Sequence, residues 1–381
     1  MKVSVVKCDN YESDTVSTAM KAVLEPLGGL DWVHDGMTVA IKANLVSGMH
    51  PDKAATTHPT LLCALVEMLR GRGARVIIGD SPGGLYNHAY VNRIYAATGM
   101  KMVENAGAVL NQNFSQKQVH FEQAKIAKDF TYTAWLDQAD VIINFCKLKT
   151  HGMMGMSAAA KNLFGTIPGT MKPEYHYRFP EIQNFSDMII DLNCFFKPVL
   201  NIVDAVLCME GNGPTAGTPR KVGALAASRN PHALDMFCAH LIGIDPSQVT
   251  TLQAAINRGL VPGDMEQIEI IGEYRDLQIS DFQLVKGKRS LQFKKESKSA
   301  VGKATAAILQ SVLSSRPQVK VEECIGCREC EKICPAKAIS MVNKKPAIDR
   351  KSCIRCFCCQ EFCPKGAMKV HRTLIAKLLE H

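Results

Sequence analysis

The chain contains, near its C-terminal end, the stretch Cys324-Ile-Gly-Cys327-Arg-Glu-Cys330-Glu-Lys-Ile-Cys334-Pro335, followed by Cys353-Ile-Arg-Cys356-Phe-Cys358-Cys359-Gln-Glu-Phe-Cys363-Pro364. Both runs have the spacing C-x2-C-x2-C-x3-C-P, which is typical of proteins that hold two [4Fe–4S] clusters. In that arrangement three closely spaced thiolates bind one cluster, and the fourth Cys, next to Pro, binds the other. The spacing therefore predicts two ligand sets, the first being Cys324, Cys327, Cys330 and Cys363, and the second Cys353, Cys356, Cys359 and Cys334.

Two other interpretations of these cysteines are weaker. Zinc is also bound by C-x2-C pairs, but it takes four ligands, usually from two separated pairs, whereas here one pattern of four occurs twice. A disulfide framework suits secreted proteins, and we expect no secretory signal from the short, polar N-terminus. Cys358 does not fit the ligand spacing, and we interpret it as a small buried apolar residue beside a cluster rather than as a redox-active thiol.

Length and composition indicate more than one domain. The 381 residues exceed a typical domain, and the pattern predicts four parts: an α/β domain at 1–273, a basic connector with one helix at 274–317, a ferredoxin-like domain at 318–372 and a terminal helix at 373–381. The connector helix is expected between Ala300 and Leu313. We expect the connector to dock the two domains, and a flexible linker is the alternative.

The charge balance is moderately basic. The formal net charge is +9, and each oxidised cluster with four thiolates adds about −2, so part of the excess offsets cluster charge. No Lys/Arg run with interleaved aromatic residues indicates nucleic-acid binding. No apolar run is long enough for a membrane span. Free thiols together with oxygen-sensitive clusters predict a reducing cytoplasm, in an anaerobic organism.

The N-terminal part alternates between strand and helix patterns. Apolar β-rich runs occur at Thr38–Asn44, Arg75–Asp80, Val141–Phe145 and Val199–Val206, and helical spacing follows Pro59. This alternation predicts an α/β fold with a mostly parallel sheet and flanking helices. The complete prediction is that large domain plus a small C-terminal α+β domain of the bacterial two-[4Fe–4S] ferredoxin type.

Polar residues follow the predicted strands at the point where each strand ends. Ligands bind at the carboxyl ends of strands in open α/β sheets, so these residues form the candidate site. We expect His151, with His58 and His176 as rivals, to transfer protons, with Lys149 as the second catalytic candidate. The residues expected to bind an anionic substrate or a flavin-like cofactor are Lys42, Asn44, Thr57, His58, Asp80, Lys147, Lys161, Asn162, Glu210 and Asn212. The alternative for each residue alone is a solvated loop position.

Two common nucleotide-binding motifs are missing from the sequence. The Gly-rich segment 211–217 lacks the G-K-[ST] ending of a Walker A motif, and no G-x-G-x-x-G follows the first strand. The usual kinases and dehydrogenases are therefore disfavoured.

Six segments resemble one family, in order along the chain. They are Ile41-Lys-Ala-Asn-Leu, Ala55-Thr-Thr-His-Pro59, Val76-Ile-Ile-Gly-Asp-Ser-Pro-Gly-Gly84, Cys146-Lys-Leu-Lys-Thr-His-Gly152, Ala160-Lys-Asn-Leu-Phe-Gly165 and Met209-Glu-Gly-Asn-Gly-Pro214. Together with Cys353-Ile-Arg-Cys-Phe-Cys-Cys359 they are similar to the ferredoxin-fused members of the domain of unknown function 362 family. The resemblance implies an iron–sulfur protein of anaerobic prokaryotic metabolism and implies no particular substrate.

The functional hypothesis is an iron–sulfur oxidoreductase or electron-transfer protein. Two [4Fe–4S] clusters relay electrons between a redox partner protein and an anionic organic molecule, or a flavin-like cofactor, on the α/β domain. One alternative is a non-catalytic electron carrier whose large domain recognises a partner. The other is a regulatory sensor whose clusters report redox state.

Overall fold

The structure is a computed structural model that describes residues 1–284 and 316–371. The chain divides into two compact units, Met1–Leu284 and Val285–His381. The helices expected at Ala300–Leu313 and after Thr373 lie outside the described residues.

The first unit alternates strands and helices. Its strands are β1 (Lys2–Lys7), β2 (Thr38–Lys42), β3 (Arg75–Gly79), β4 (Val109–Leu110), β5 (Gln116–His120), β6 (Asp129–Thr133), β7 (Val141–His151), β8 (Gly155–Ser157), β9 (Leu200–Glu210), β10 (Thr218–Ser228) and β11 (Glu269–Ile271). Its α-helices are α1 (Ser13–Leu24), α2 (Pro59–Arg70), α3 (His88–Ala97), α4 (Met100–Asn105), α5 (Ala159–Asn162), α6 (Lys172–Arg178), α7 (Ile182–Phe196), α8 (Pro231–Leu241) and α9 (Thr250–Asn257). Short 3-10 helices occur at Glu25–Leu27, Pro51–Lys53, Ala134–Gln138, Leu163–Thr166, Pro246–Gln248, Met265–Gln267 and Arg275–Leu277.

The central sheet has the strand order β11-β1-β10-β9-β7-β2-β3-β4, with β8 added to β7. Within the described residues, the pairs β11–β1, β9–β7, β7–β2, β2–β3 and β3–β4 are parallel, and β1–β10, β10–β9 and β7–β8 are antiparallel. The mostly parallel sheet is therefore confirmed. From β2 the chain builds β3 and β4 on one side, and later β7 and β9 on the other. The strand order thus reverses between β2 and β7, which is where such sheets bind ligands.

Apolar layers cover both faces of the sheet. In β2, Val39 and Ile41 belong to a core shared with α1, α2 and α3, whereas Ala40 packs on the opposite face with Trp135. This double burial explains why the parallel strands are near-continuous apolar runs rather than alternating ones. A polar group at the end of such a strand is consequently placed at the rim of a well-packed core.

The second unit is built from two short hairpin-like pairs. The strands β12 (Arg316–Val319) and β15 (Met368–His371) pair antiparallel, as do β13 (Ile339–Val342) and β14 (Lys345–Ile348). Two one-turn helices, α10 (Glu329–Lys332) and α11 (Cys358–Glu361), begin at equivalent places in the two cysteine motifs. The sequence duplication is therefore also a structural duplication.

Candidate functional site

Two cavities in the second unit are each surrounded by four of the predicted cysteine ligands. Cys324, Cys327, Cys330 and Cys363 line one, with about 360 Å³ of empty space that is partly open to solvent. The other, of about 320 Å³, is lined by Cys334, Cys353, Cys356 and Cys359. Each cavity takes three cysteines from one motif and the fourth from the other, which is the crossed arrangement that the spacing predicts.

Each cysteine quartet lines a cavity and does not meet at a single point. Among residues 1–284 and 316–371, no group of three or more His, Cys, Asp or Glu converges as ligands of a single metal ion would. A zinc ion holds its sulfur ligands at about 2.3 Å and draws four thiolates around one point. Quartets that surround a cavity instead fit a cubane, and these eight residues would hold the two clusters.

The backbone wraps each cavity with the same unusual conformations. Gly326 and Arg355 occupy equivalent positions with φ values of 71° and 59°, and Arg328 and Phe357 follow with 66° and 60°. Only Gly adopts this left-handed region without cost. A Cβ at Gly326 would lie 2.8 Å from the carbonyl oxygen of Lys344, so glycine is required there for packing as well.

The fourth cysteine of each motif accepts a backbone hydrogen bond. The amide of Ala338 donates to Cys334 Sγ, and the amide of Ala367 donates to Cys363 Sγ, both at 3.2 Å. Hydrogen bonds to cluster sulfurs are among the factors that set the reduction potential. Cys358 is fully buried beside the second quartet, which is consistent with its interpretation as a small apolar residue.

In the first unit, a buried polar cluster lies at the strand ends where the sheet order reverses. Lys42, the last residue of β2, pairs with Asp80 directly after β3, with 2.7 Å between Nζ and Oδ1. The other carboxylate oxygen accepts from the amide of Leu45 at 2.8 Å. Burial lowers the pKa of Lys42, and Asp80 offsets part of that effect. Gly165 packs directly on this pair, because a Cβ there would collide with both charged groups.

A relay of side-chain amides extends from this pair. Asn201 accepts from Asn144 at 2.9 Å, Asn144 accepts from Asn162 at 2.8 Å, and Asn162 accepts from Asn44 at 2.9 Å. Lys149 Nζ donates to Asn44 Oδ1 at 2.7 Å and to the carbonyl oxygen of Ala55 at 2.6 Å. Asn44 is the half-buried member, so solvent reaches the relay there. Buried polar networks of this kind are costly unless fully hydrogen-bonded.

Lys147 belongs to a second buried group. Its ammonium lies 2.8 Å from Asp204 and 2.9 Å from the hydroxyl of Tyr11, which itself donates to Asp204 at 2.9 Å. The ring of His58 stacks on Tyr11 with 3.6 Å between ring centroids. Burial lowers the pKa of His58 to about 4 and raises that of Tyr11 well above its usual range.

His151 is held by its own turn. Its Nδ1 accepts from the amides of Met153 and Met154, each at 3.2 Å. An imidazole nitrogen that accepts N–H bonds carries no proton, so the neutral ring has its proton on Nε2. His151 is therefore buried as a neutral ring whose Nδ1 is occupied by these two amides.

The remaining predicted residues are distributed around this edge. Thr57 joins the cluster, since its hydroxyl donates to the carbonyl oxygen of Phe145 at 2.9 Å and accepts from the amide of Asn44 at 3.0 Å. Lys161 lies 4.5 Å from the ring centre of Phe164. Glu210, at the end of β9, instead accepts from the amide of Gln283 at 3.0 Å, and Asn212 follows in a half-buried loop.

The rival His176 lies outside the relay. It stacks on Phe185 with ring centroids 4.2 Å apart, and burial together with Lys161 and Lys172 lowers its pKa to about 3. Its ring is therefore neutral at physiological pH.

The pairing corrects the expected role of two lysines. Lys42 and Lys147 were expected to supply positive charge to an anion, but both are fully buried and neutralised by Asp80 and Asp204. A carboxylate this close to a lysine cancels most of the electrostatic attraction that the ammonium would exert on an anionic ligand. Lys149 lies at the same edge beside the half-buried Asn44 and donates to Asn44 and to the carbonyl oxygen of Ala55.

Sequence inspection missed several residues of this edge. Asn144 and Asn201 sit inside the apolar runs Val141-Ile-Ile-Asn-Phe and Val199-Leu-Asn-Ile-Val, and a single amide in a buried strand was the available signal. Tyr11 and Gly165 had no such signal, because their importance depends on long-range packing.

Asp235 is a further missed residue, and it fixes α5. Its carboxylate accepts from the amides of Ala159 and Ala160 at 2.6 and 3.1 Å. Burial raises its pKa to about 7, against the opposing effect of these two amides. Because α5 includes Lys161 and Asn162, Asp235 helps to place two predicted site residues.

The comparisons with known proteins agree with this architecture. Residues 39–240, more than half of the chain, match the family described as "Domain of unknown function (DUF362)". The chain belongs to this DUF362 family. In this DUF362 protein the match includes every predicted site residue from Lys42 to Asn212. Residues 316–364 match "4Fe-4S dicluster domain", which covers all eight predicted cysteine ligands.

Among individual relatives, the DUF362 protein is 31% identical over 290 residues to "Thylakoid-associated protein sll1697" of Synechocystis sp., covering 74% of this chain and 87% of that protein. A solved structure, that of the lactate racemase apoprotein from Thermoanaerobacterium thermosaccharolyticum, superimposes with a TM-score of 0.41 and 13% identity. That superposition covers 64% of this chain and 57% of the racemase chain, so the chain spans less than two thirds of that protein.

Across the part of the chain that the structure describes, no helix combines the length and the apolar character needed to cross a membrane. The cytoplasmic location remains a prediction.

Proposed function

We propose that this DUF362 protein is an iron–sulfur oxidoreductase that exchanges electrons with a small organic anion bound at the carboxyl ends of β2 and β7. The two clusters supply one-electron transfer when bound. A flavin-like cofactor gains no support from the comparisons and forms no part of the proposal.

The proposal rests on one observation, the buried lysine–asparagine cluster at the reversal point of the sheet. Lys149, Asn44 and Asn162 come from three separate segments and meet at the place where open α/β sheets bind ligands. Burying several polar side chains costs folding free energy that burying apolar side chains of similar size does not. Such a cost is typical of a site kept for binding or chemistry.

Different residues of the edge have different roles in this proposal. Lys149 attracts the anion, and Asn44, which is both hydrogen-bonded to Lys149 and reached by solvent, orients it. The ion pair of Lys42 and Asp80 fixes the ends of β2 and β3 without offering net charge. His151 contributes a neutral ring that carries its proton on Nε2 as a hydrogen-bond donor, because its Nδ1 is already occupied as an acceptor.

The test uses anaerobically purified full-length protein with both clusters reduced by dithionite. It is mixed with a panel of organic acids, and reoxidation is followed by the return of cluster absorption. We expect one class of acid to reoxidise the clusters, and Lys149→Met to slow that reaction at least about tenfold. The matched control is Lys101→Met, which removes an exposed lysine that pairs with Glu104 on α4.

Anaerobic crystals of the same preparation provide the second measurement. Electron density for a small molecule beside Lys149 and Asn44 would support the site. Unchanged reoxidation in Lys149→Met, together with a crystal in which a reactive acid binds elsewhere, would refute it and favour a carrier or sensor without chemistry at this edge.

A further inference from the structure

The duplicated cysteine motif allows the two cluster cavities to be compared position by position. At equivalent positions, the first motif is exposed where the second is half-buried or buried. The equivalent pairs, with the first-motif residue given first, are Ile325 and Ile354, Cys327 and Cys356, Arg328 and Phe357, and Glu329 and Cys358. The side chains at these four positions are therefore more exposed around the first cavity than around the second.

The surface beside the first cavity is apolar to an unusual degree. Ile325 is 62% exposed, Val342 is 56% exposed and Val321 is 50% exposed. The segments that hold them adjoin, because Lys345 Nζ donates to the carbonyl oxygens of Val321 and Cys324 at 2.8 and 2.6 Å, and Lys345 pairs with Val342 across the β13–β14 hairpin. Grouped exposed apolar side chains mark interaction sites more often than scattered ones do.

Charged residues of both signs surround these apolar residues. Arg328 pairs with Glu331 at 2.8 Å and Lys320 pairs with Glu323 at 3.1 Å, and Lys344, Lys345 and Lys365 add further positive charge. Arg328 and Lys365 line the first cavity, and Lys344 and Lys345 lie at the hairpin turn. Residues 316–371 contain twelve Lys and Arg against six Asp and Glu. The clusters lower this excess, but their charge lies in the cavities, whereas the cations lie at the surface. A partner that matches this surface has an apolar centre and carboxylates at its rim.

We propose that the first-quartet face, defined as Val321, Ile325 and Val342 with Lys344, Lys345 and Lys365, docks an acidic electron-carrier protein. Electrons pass between that carrier and the cluster held by Cys324, Cys327, Cys330 and Cys363. In each encounter one electron moves from the reduced carrier to this cluster, so that the carrier is oxidised and the cluster is reduced. In the opposite direction the reduced cluster gives one electron to the oxidised carrier. No bond forms or breaks in either case. The inference rests on the proposed electron-transfer function and names the cluster at which the outside partner acts.

The experiment uses the full-length protein with both clusters and an acidic flavodoxin as the probe. Dithionite-reduced protein is mixed anaerobically with oxidised flavodoxin in a stopped-flow instrument. We expect the second-order rate to fall about tenfold or more as salt rises from about 50 to about 500 mM, because opposite charges steer the encounter. We expect Ile325→Glu to lower the second-order rate at low salt at least about tenfold. The new carboxylate has the same sign of charge as the acidic carrier, and it replaces an apolar side chain at the centre of the face.

The control is Val109→Glu, which makes the same kind of change at a residue 46% exposed in the first unit. It should leave the rate unchanged. Iron content, the electron paramagnetic resonance spectrum and reoxidation by a small neutral quinone should be the same in all three proteins, which separates docking from damage to the cluster.

Three results would overturn the inference: equal rates in wild type and Ile325→Glu, a rate that rises with salt, or a wild-type protein that reacts with the quinone but not with flavodoxin. A wild-type protein whose clusters react with neither probe would instead contradict the proposed electron-transfer function itself.

Discussion

The two units place their functional residues in opposite ways. In the second unit, all eight cluster cysteines lie between 324 and 363, and local spacing selects them. In the first unit, Lys42 and Asn162 are 120 residues apart in the chain, and Asn44 and Lys149 are 105 apart, yet each pair is hydrogen-bonded. A site formed by short-range spacing is visible in a sequence, whereas a site formed by strand order and register is visible only after folding.

The units also differ in what stabilises them. The second unit has a small core in which cysteines pack with Ile339 and Met368, so we expect cluster binding to contribute much of its folding free energy. The first unit has extensive cores on both faces of its sheet, which offset the cost of burying charged lysines. Removing a ligand should therefore disrupt one unit, and unpairing a charge should destabilise the other.

The largest effect is expected from the cluster ligands. Cys324→Ala and Cys363→Ala should each reduce the iron content from about eight to about four per chain, because the two residues line the same cavity although they lie in different motifs. Iron analysis and electron paramagnetic resonance measure the loss. The fluorescence of Trp32 and Trp135, both in the first unit, should not change.

Cys334→Ala is the matched comparison, because this residue lines the other cavity. It should remove the cluster that Cys324→Ala leaves intact. Spectra in which Cys363→Ala resembles Cys334→Ala rather than Cys324→Ala would contradict the crossed ligand sets.

The next effect concerns the ion pair of Lys147 and Asp204. Asp204→Asn should lower the free energy of unfolding of the first unit by about 3–5 kcal/mol, because it leaves a buried ammonium uncompensated. Tryptophan fluorescence during anaerobic denaturant unfolding measures it. Adding Lys147→Met should restore part of the loss. A double variant no more stable than Asp204→Asn would show that the loss comes from other bonds of Asp204.

A third effect, which depends on pH, is expected from Asp235. Its folded pKa of about 7 is above the ordinary value of 3.8, so the folded state binds this proton more tightly than the unfolded state does. Its stabilising contribution is complete below the unfolded pKa and is lost as pH rises through the folded pKa. The loss should be about 1.4 kcal/mol per pH unit between about pH 4 and about pH 7.

The measurement is the difference in unfolding free energy between wild type and Asp235→Asn, followed by tryptophan fluorescence from about pH 5 to about pH 8. The wild type should become less stable relative to the variant up to about pH 7, and the difference should then level off. A difference that stays constant over this range would show that Asp235 is ionised throughout.

The smallest effect is expected from Cys358. Cys358→Ala should keep about eight iron per chain and lower stability by about 1 kcal/mol, because the thiol is buried beside the second quartet but lies outside the ligand spacing. Iron analysis and thermal unfolding test this. A variant with about four iron per chain would make Cys358 a ligand.

Much of the fold was predictable from local patterns. The buried runs before Lys42 and Asp80 indicated strands, and Pro59 marked the start of α2, whose N-cap His58 accepts from the amide of Thr60. The strand order was not predictable, since β9 pairs with both β7 and β10 in different directions. Consequently the residues at strand ends were recognised individually, but the relay through Asn144 and Asn201 was not.

The sequence by itself determined the cluster ligands, because three thiolates spaced three residues apart can wrap a cluster whatever the rest of the chain does. It also determined the α/β class, because the apolar periodicity is a local property. Only the tertiary structure decided which charges remain available at the strand ends. Asp80 and Asp204 neutralise Lys42 and Lys147 because neighbouring strands bring them together. The spacing of these residues along the chain does not predict those contacts.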